Sequence, residues 1–264
     1  MTFEELEISR QTYEDKIDEV KDLRERAELY SEYKKAYKAY FVNYQLQSFF
    51  TDIKYDHTLG IDAATLRRTG LIDTGDTYYS NDLINAQYKN INFTQADVEI
   101  IRKYEGQANE EYNPLAINKR SEIVFKGRFL IFKFSKKILH RVAILPVGAP
   151  SFFIDPVVRT GLKPVETESA LFNRMFKIYA EDGFEAFYIL DPAFIESVEH
   201  FADRYCHKVV LYFMHDKMFI GINDGDDSFE PPDPALPINE NRERAKIIED
   251  MKLVTDIVGV LDLL

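Results

Sequence analysis

The run EIVFKGRFLIFKFSKKILHRVAILP, residues 122 to 146, leaves a chain few ways to fold. In an extended backbone Phe129, Ile131 and Lys133 point to one side, and Leu130, Phe132 and Phe134 to the other. Both sides are largely apolar, and a strand that is apolar on both sides needs a covering layer over each face. The run therefore predicts two strands of a sheet that is buried on at least part of both faces.

Covering layers are available at the two ends of the chain. Residues 3 to 50 are rich in Glu, Lys, Leu, Ala and Tyr and contain no Gly or Pro, which predicts one long helix. Within it Tyr30, Tyr33, Tyr37, Tyr40 and Tyr44 recur at steps of 3, 4, 3 and 4, which keeps them on one face. A tyrosine at every seam position is poor coiled-coil chemistry, because each buried hydroxyl needs a partner. The favoured reading lays this helix on the rest of the chain; the alternative makes the stripe a surface for a protein partner, including a second copy. Residues 239 to 264 read as a closing amphipathic helix, with Ile247, Met251, Val254, Ile257, Val258 and Leu261 on its apolar side. Helices at both ends of a strand-rich middle predict an α+β fold with an antiparallel sheet. The division expected is an N-terminal helical segment, 1–50, and an α+β domain, 51–264.

Local signals fill in the middle. DAATLRRTGLI predicts a helical turn from Asp62 to a left-handed cap at Gly70. In INFTQADVEIIRKYE, Thr94 and Asp97 resemble a capping box, but the apolar pattern and the β-rich sequence that follows favour a strand. Residues 148 to 168, punctuated by Gly148, Pro150, Pro156, Gly161 and Pro164, read as a loop. Asp191 is an N-cap with Pro192 at the first helical position, opening a helix to about Tyr205 that buries Phe194, Ile195, Val198 and Phe201. HKVVLYFMHDKMFIGIND reads as a hairpin bending near His215, Asp216 and Lys217, and GDDSFEPPDPALP as a proline-rich surface loop.

Charge and cysteine content restrict the setting. A formal net charge of -12 argues against general binding to nucleic acid and against adsorption to anionic lipid. Cys206 is the single cysteine, so an intramolecular disulfide framework is excluded and the reducing cytosol is the natural compartment. The acidic start MTFEELEISRQTYEDKIDE is unlike a secretory signal, and the uncharged stretch VAILPVGAPSFFI is too short and too broken by proline to span a bilayer.

Few patterns suggest chemistry. LIDTGD, around Asp73, resembles the catalytic loop of retroviral-type aspartic proteases, which need two aspartates sharing a proton. The chain carries one such motif, after a helical turn rather than a strand, so Asp73 reads as part of a turn unless a second copy supplies its partner. Glu181, Asp182 and Glu185 could form a carboxylate pair for acid–base work, although a charged turn is the ordinary reading. INDGDDSFE fits no EF-hand register and reads as a solvated hairpin exit, with a weak, irregular cation site as the alternative. His200, Cys206, His207 and His215 are too spread along the chain to converge on zinc. No metal and no cofactor is expected. GxSxG, GxGxxG, Walker A and HExxH patterns do not occur in the sequence.

Four blocks, FKGRFLIFKFSKK, FNRMFKIYAEDGFEAFYILDPAFIESVEHF, KMFIGINDGDDSFEPP and IVGVLDLL, stand in the order found in a bacterial family catalogued as domain of unknown function 3137. The stretch LRRTGLIDTGDTYYSNDLINA resembles that family's early block, so the resemblance spans about residues 40 to 264. It implies that Asp73 lies in a loop, and it supplies no catalytic residues. Family members typically resemble membrane proteins, with an N-terminal helix and one or two hydrophobic spans ahead of a soluble domain. This chain departs from that pattern: a span would belong near residues 20 to 25, where the sequence is charged. If a span belongs there, residues 1 to 20 and 25 to 50 are two helices rather than one.

The expectation drawn from these features is a non-enzymatic binding or scaffold domain that holds a protein partner on the cytoplasmic face of a membrane. The alternatives are a hydrolase centred on Asp73 or on Glu181, Asp182 and Glu185, and a carrier of an apolar ligand between the Phe-rich strands.

Overall fold

In a computed structural model, residues 3–107, 117–205 and 208–261 are described. Helices α1 (Phe3–Ile17) and α2 (Leu23–Tyr37) lead into a π-helical turn, Lys38–Val42, and α3 (Asn43–Gln47). Strand β1 (Thr51–Asp56), helix α4 (Ala63–Thr69) and strands β2 (Thr77–Tyr88), β3 (Ile91–Gln107) and β4 (Ile117–Pro146) follow. Next come α5 (Ser151–Arg159), β5 (Lys163–Val165), α6 (Ala170–Met175), β6 (Phe176–Ala180), α7 (Gly183–Ile189) and α8 (Pro192–Arg204), before β7 (Val209–Ile222) and α9 (Glu240–Leu261).

The α+β expectation is met: the strands form one sheet in the order β1-β2-β3-β4-β6-β5, with β7 paired to β4, and every pairing is antiparallel. The Phe-rich run is one strand, not two. β3 pairs with its first part, from Ile117 to Lys133, β6 pairs with Val142–Pro146, and β7 runs across the junction. Its described side chains divide as the alternation predicts; that of Phe134 lies outside the described residues. Leu130, Phe132, Val142 and Ile144 face a core covered by α1, α2, α3, α8 and α9; Phe129, Ala143 and Leu145 face a second core under α4 and α5. Gly127 is required in this strand, because a Cβ there would meet the carbonyl oxygen of Ile222 at 2.1 Å.

The long N-terminal helix is present as the continuous stretch α2, π turn and α3, but the helical segment is broken before it. Asp22 accepts hydrogen bonds from the N–H groups of Arg24 and Glu25, capping α2 as a new helix that packs against α1. Gly70 adopts the left-handed cap (φ 65°), Asp62 caps α4, and Asp191 accepts from the Phe194 N–H at the start of α8. Phe194, Val198 and Phe201 are buried on α8 and Ile195 partly so; Ile247, Met251, Val254, Ile257 and Val258 are buried on α9. The side chain of Leu261 lies outside the described residues, as do Cys206 and His207.

Three further expectations are corrected. The predicted hairpin at 207–224 is a single strand, β7: His215, Asp216 and Lys217 pass through an irregular stretch of its pairing with β4 rather than a bend, with His215 at φ 59°. Across this stretch the parity of β7 changes: Leu211 and Phe213 face the first core before it, Met218 and Ile220 after it. Residues 148–168 contain α5, whose Phe152, Phe153 and Val157 bury against the sheet, and the short strand β5, so they are not merely a loop. The INDGDDSFE segment is a solvated exit only in part: Gly225 and Asp226 are exposed, but Ser228 and Phe229 are buried against the sheet.

Candidate functional site

Two regions stand out, one for its buried charges and one for its exposed aromatic rings. The first is buried between the π turn and the sheet. β2 bulges between Asn81 and Ile84, and Asp82 takes φ 57°, a conformation that favours glycine. The bulge carries the Asp82 carboxylate under the π turn, where it pairs with the Lys38 ammonium; each side chain is only 1% exposed. Tyr55 donates to Asp82 Oδ1 at 2.5 Å and Asn81 Nδ2 to Oδ2 at 2.6 Å. Lys38 also reaches Glu230 (2.9 Å), which Lys34 holds from α2 at 2.5 Å. On β3, Asp97 accepts from Ser228 N at 2.6 Å and from Ser228 Oγ at 2.9 Å. Carboxylate oxygens of Asp82, Asp97 and Asp227 come within 4.8 Å of one another.

The electrostatics follow from this crowding. Burial, with Asp82 and Asp227 beside it, pushes the Asp97 carboxyl well above the usual carboxylate range. Burial also raises Asp82, against the pull of Lys38. Burial alone would raise Glu230, but its hydrogen bonds to Lys34 and Lys38 outweigh that and hold it low. The three carboxylates are candidates for holding a cation, but Asp82 already has an ammonium counterion. The arrangement ties the π turn, β1, β2, β3 and the segment after β7 together. The sequence did not single out Lys38 or Asp82; it considered Asp97 only as part of a capping box and Asp227 only within the INDGDDSFE loop, where a weak cation site was the alternative, and the positive-φ bulge that places Asp82 leaves no local signature.

The second region is open to solvent. Asp182 caps α7 by accepting from the Phe184 N–H at 2.7 Å, and the helix turns Ala186 and Ile189 inward. Phe184, Phe187 and Tyr188, spaced i, i+3 and i+4, share the opposite face and are 87%, 51% and 61% exposed. α7 is therefore apolar on both faces although it lies at the surface. The exposed rings amount to an apolar area on the order of 400 Å². That matches the largest patches of soluble proteins, which are commonly functional. A signal was present in FEAFYI, where Glu185 is the single charged residue among apolar and aromatic ones, but Glu185 and the carboxylates before it drew attention instead.

The residues singled out from sequence fall as follows. Asp73 accepts from Gly75 N–H and pairs with Arg102 at 3.2 Å, with Arg159 at 4.0 Å. Glu181 pairs with Arg141 at 3.1 Å, and that hydrogen bond holds its carboxyl below the usual range. Asp182 is the α7 cap; Glu185 lies in α7 with its side chain outside the described residues. Tyr33 and Tyr37 are buried in the first core, the latter donating to Glu243 of α9 at 3.2 Å, while Tyr30 and Tyr40 pack at its edge. Tyr44 is the member of the stripe open to solvent, at 62%. Between α8, α9 and the sheet, the void bounded by Phe201, Met218 and Ile257 is about 10 Å³, enough for no more than a water. A wider, open recess of about 790 Å³ lies over β1, β2 and β3, with Lys54, Lys133 and Lys217 among its polar walls.

The family comparison matches residues 123–263 to "Protein of unknown function (DUF3137)", over half of the chain. The chain belongs to this family. The DUF3137 match contains the four blocks from β4 onward and both α7 and α8, whereas the LIDTGD stretch precedes it. No curated protein matches the chain. Among solved structures it is similar to the mycobacterial trehalose monomycolate transport factor A, TtfA, at 9% identity and a TM-score of 0.43, over 86% of this chain and 93% of that one. Among the described residues, no helix is long and apolar enough to cross a membrane.

Proposed function

We propose that this DUF3137 chain is a non-enzymatic binding domain that holds a protein partner through α7, at the cytoplasmic face of a membrane. The observation that carries the reading is the outward aromatic face Phe184, Phe187 and Tyr188 on a short helix whose inner face is already used in the core. Aromatic side chains give large contact area for little lost side-chain freedom, which is why they anchor interfaces. Their exposure costs the isolated chain hydration free energy that a partner would recover. The Phe-rich strands, which suggested a ligand carrier, are packed against helices on both faces. The ion partners of Asp73 and Glu181 are arginines, which favours structural roles for both over a hydrolytic one.

The test replaces Phe184, Phe187 and Tyr188 by alanine and compares native extracts by size-exclusion chromatography. The wild-type chain should elute in a complex and the triple variant as the free chain, with unchanged circular dichroism. Identical elution of both would exclude α7 as the binding surface.

A further inference from the structure

We infer that the groove beside α7 seats a basic, apolar-anchored segment of the partner protein, an inference that rests on the binding reading above. The groove, of about 470 Å³, opens between the residues preceding α6, the end of α7 and the first turns of α8. Its apolar lining includes Phe187, Leu190 and Ile195. Its other walls carry Glu168, Asp191, Glu196 and Glu199, and none of its lining residues is Lys or Arg.

The state of these carboxylates identifies the ligand chemistry. Asp191 is committed to capping α8, so the positive end of that helix is already answered. Glu196 lies 4.0 Å from the exposed His200. Glu199 has an oxygen, Oε1, that is shut off from solvent and receives no hydrogen bond from the described residues. Glu196 and Glu199, one turn apart on α8, both line the groove, and the pair suits the forked donors of an arginine. The apolar lining asks for a Leu- or Phe-sized side chain next to that cation, a size the groove accommodates. An anionic lipid surface or a nucleic acid meets like charge here, whereas a Lys/Arg-flanked apolar peptide meets opposite charge at the walls and apolar surface between them.

The test uses a labelled peptide in which Leu and Phe alternate with Arg and Lys, and a counterpart with Glu at every basic position, titrated with the full chain by fluorescence anisotropy. The basic peptide should bind and weaken with added salt, and the acidic one should not bind. Glu196→Gln with Glu199→Gln should weaken binding about tenfold or more, as expected for interfacial charge pairs. Glu25→Gln with Glu28→Gln, on exposed positions of α2, should leave it unchanged. Failure of the basic peptide to bind, equal binding of both peptides, or full affinity in the Glu196/Glu199 variant overturns the inference. If affinity survives that variant but is lost in the Phe184/Phe187/Tyr188 alanine variant, the binding reading stands and the basic partner falls. If binding survives both variants, α7 and its groove fall together.

Discussion

Asp82 combines three irregularities that are rare singly: a positive φ in a non-glycine residue, a β-bulge, and a buried ion pair with a π-helical lysine. Each costs free energy, and each persists only because its neighbours fix it. Lys38→Met removes the ammonium but leaves the Asp82 carboxylate buried. The expected loss is about 3–5 kcal/mol in urea denaturation, much of it restored by adding Asp82→Asn. A second expectation concerns pH. Asp97 binds its proton more tightly in the folded state than in the unfolded state, where carboxyls titrate near about 3.9. The stability it contributes is complete below that pH and is lost as pH rises through its folded value. Glu230 acts in the opposite sense, so the informative quantity is the difference between wild type and Asp97→Asn. Urea midpoints measured from acid to neutral pH should show the wild type losing stability relative to the variant as pH rises; parallel curves would place Asp97 outside the linkage. Neither residue was legible as a buried ion, because a lone Lys or Asp in sequence gives no sign of the bulge that buries it.

At the scale of elements, neighbouring helices put similar residues to opposite uses. Phe194 on α8 is fully buried and stacks edge-on to Phe213 of β7 at 5.8 Å, whereas Phe187 on α7 faces solvent. Phe194→Ala should cost about 3–5 kcal/mol by thermal or urea unfolding. Phe187→Ala should stay within about 0.5 kcal/mol of wild type. A comparable loss at Phe187 would mean that its ring packs within the fold, leaving the surface without its anchor. α8 and α9 were legible because cap, proline and apolar period agree over several turns. β7 was misread because His215, Asp216 and Lys217 have the polarity of a turn, and only the pairing with β4 shows that the chain runs on. α5 was hidden by its flanking glycines and prolines, although Phe152, Phe153 and Val157 hold the helical spacing of a buried face.

For the whole molecule, the doubly apolar strand β4 explains most of the architecture: each of its faces demands a layer, and the N- and C-terminal helices supply one while α4 and α5 supply the other. Tyr33, Tyr37, Phe41 and Leu46 share a single buried cluster with Phe132 and Val254, so the helical N-terminus packs into the same core as the sheet. What sequence could not place was the surface left over, since exposure depends on which faces the packed layers consume. That leftover surface, α7 and its acidic groove, lies within the DUF3137 match and is where the binding reading stands or falls. The most direct measurement is site-specific photo-crosslinking in cells that produce the chain, with a photoreactive phenylalanine analogue placed in turn at Phe187 and at Tyr44. A discrete protein adduct from position 187 and none from position 44 is the expected result. An adduct from position 44 alone, or only lipid adducts from position 187, would contradict it.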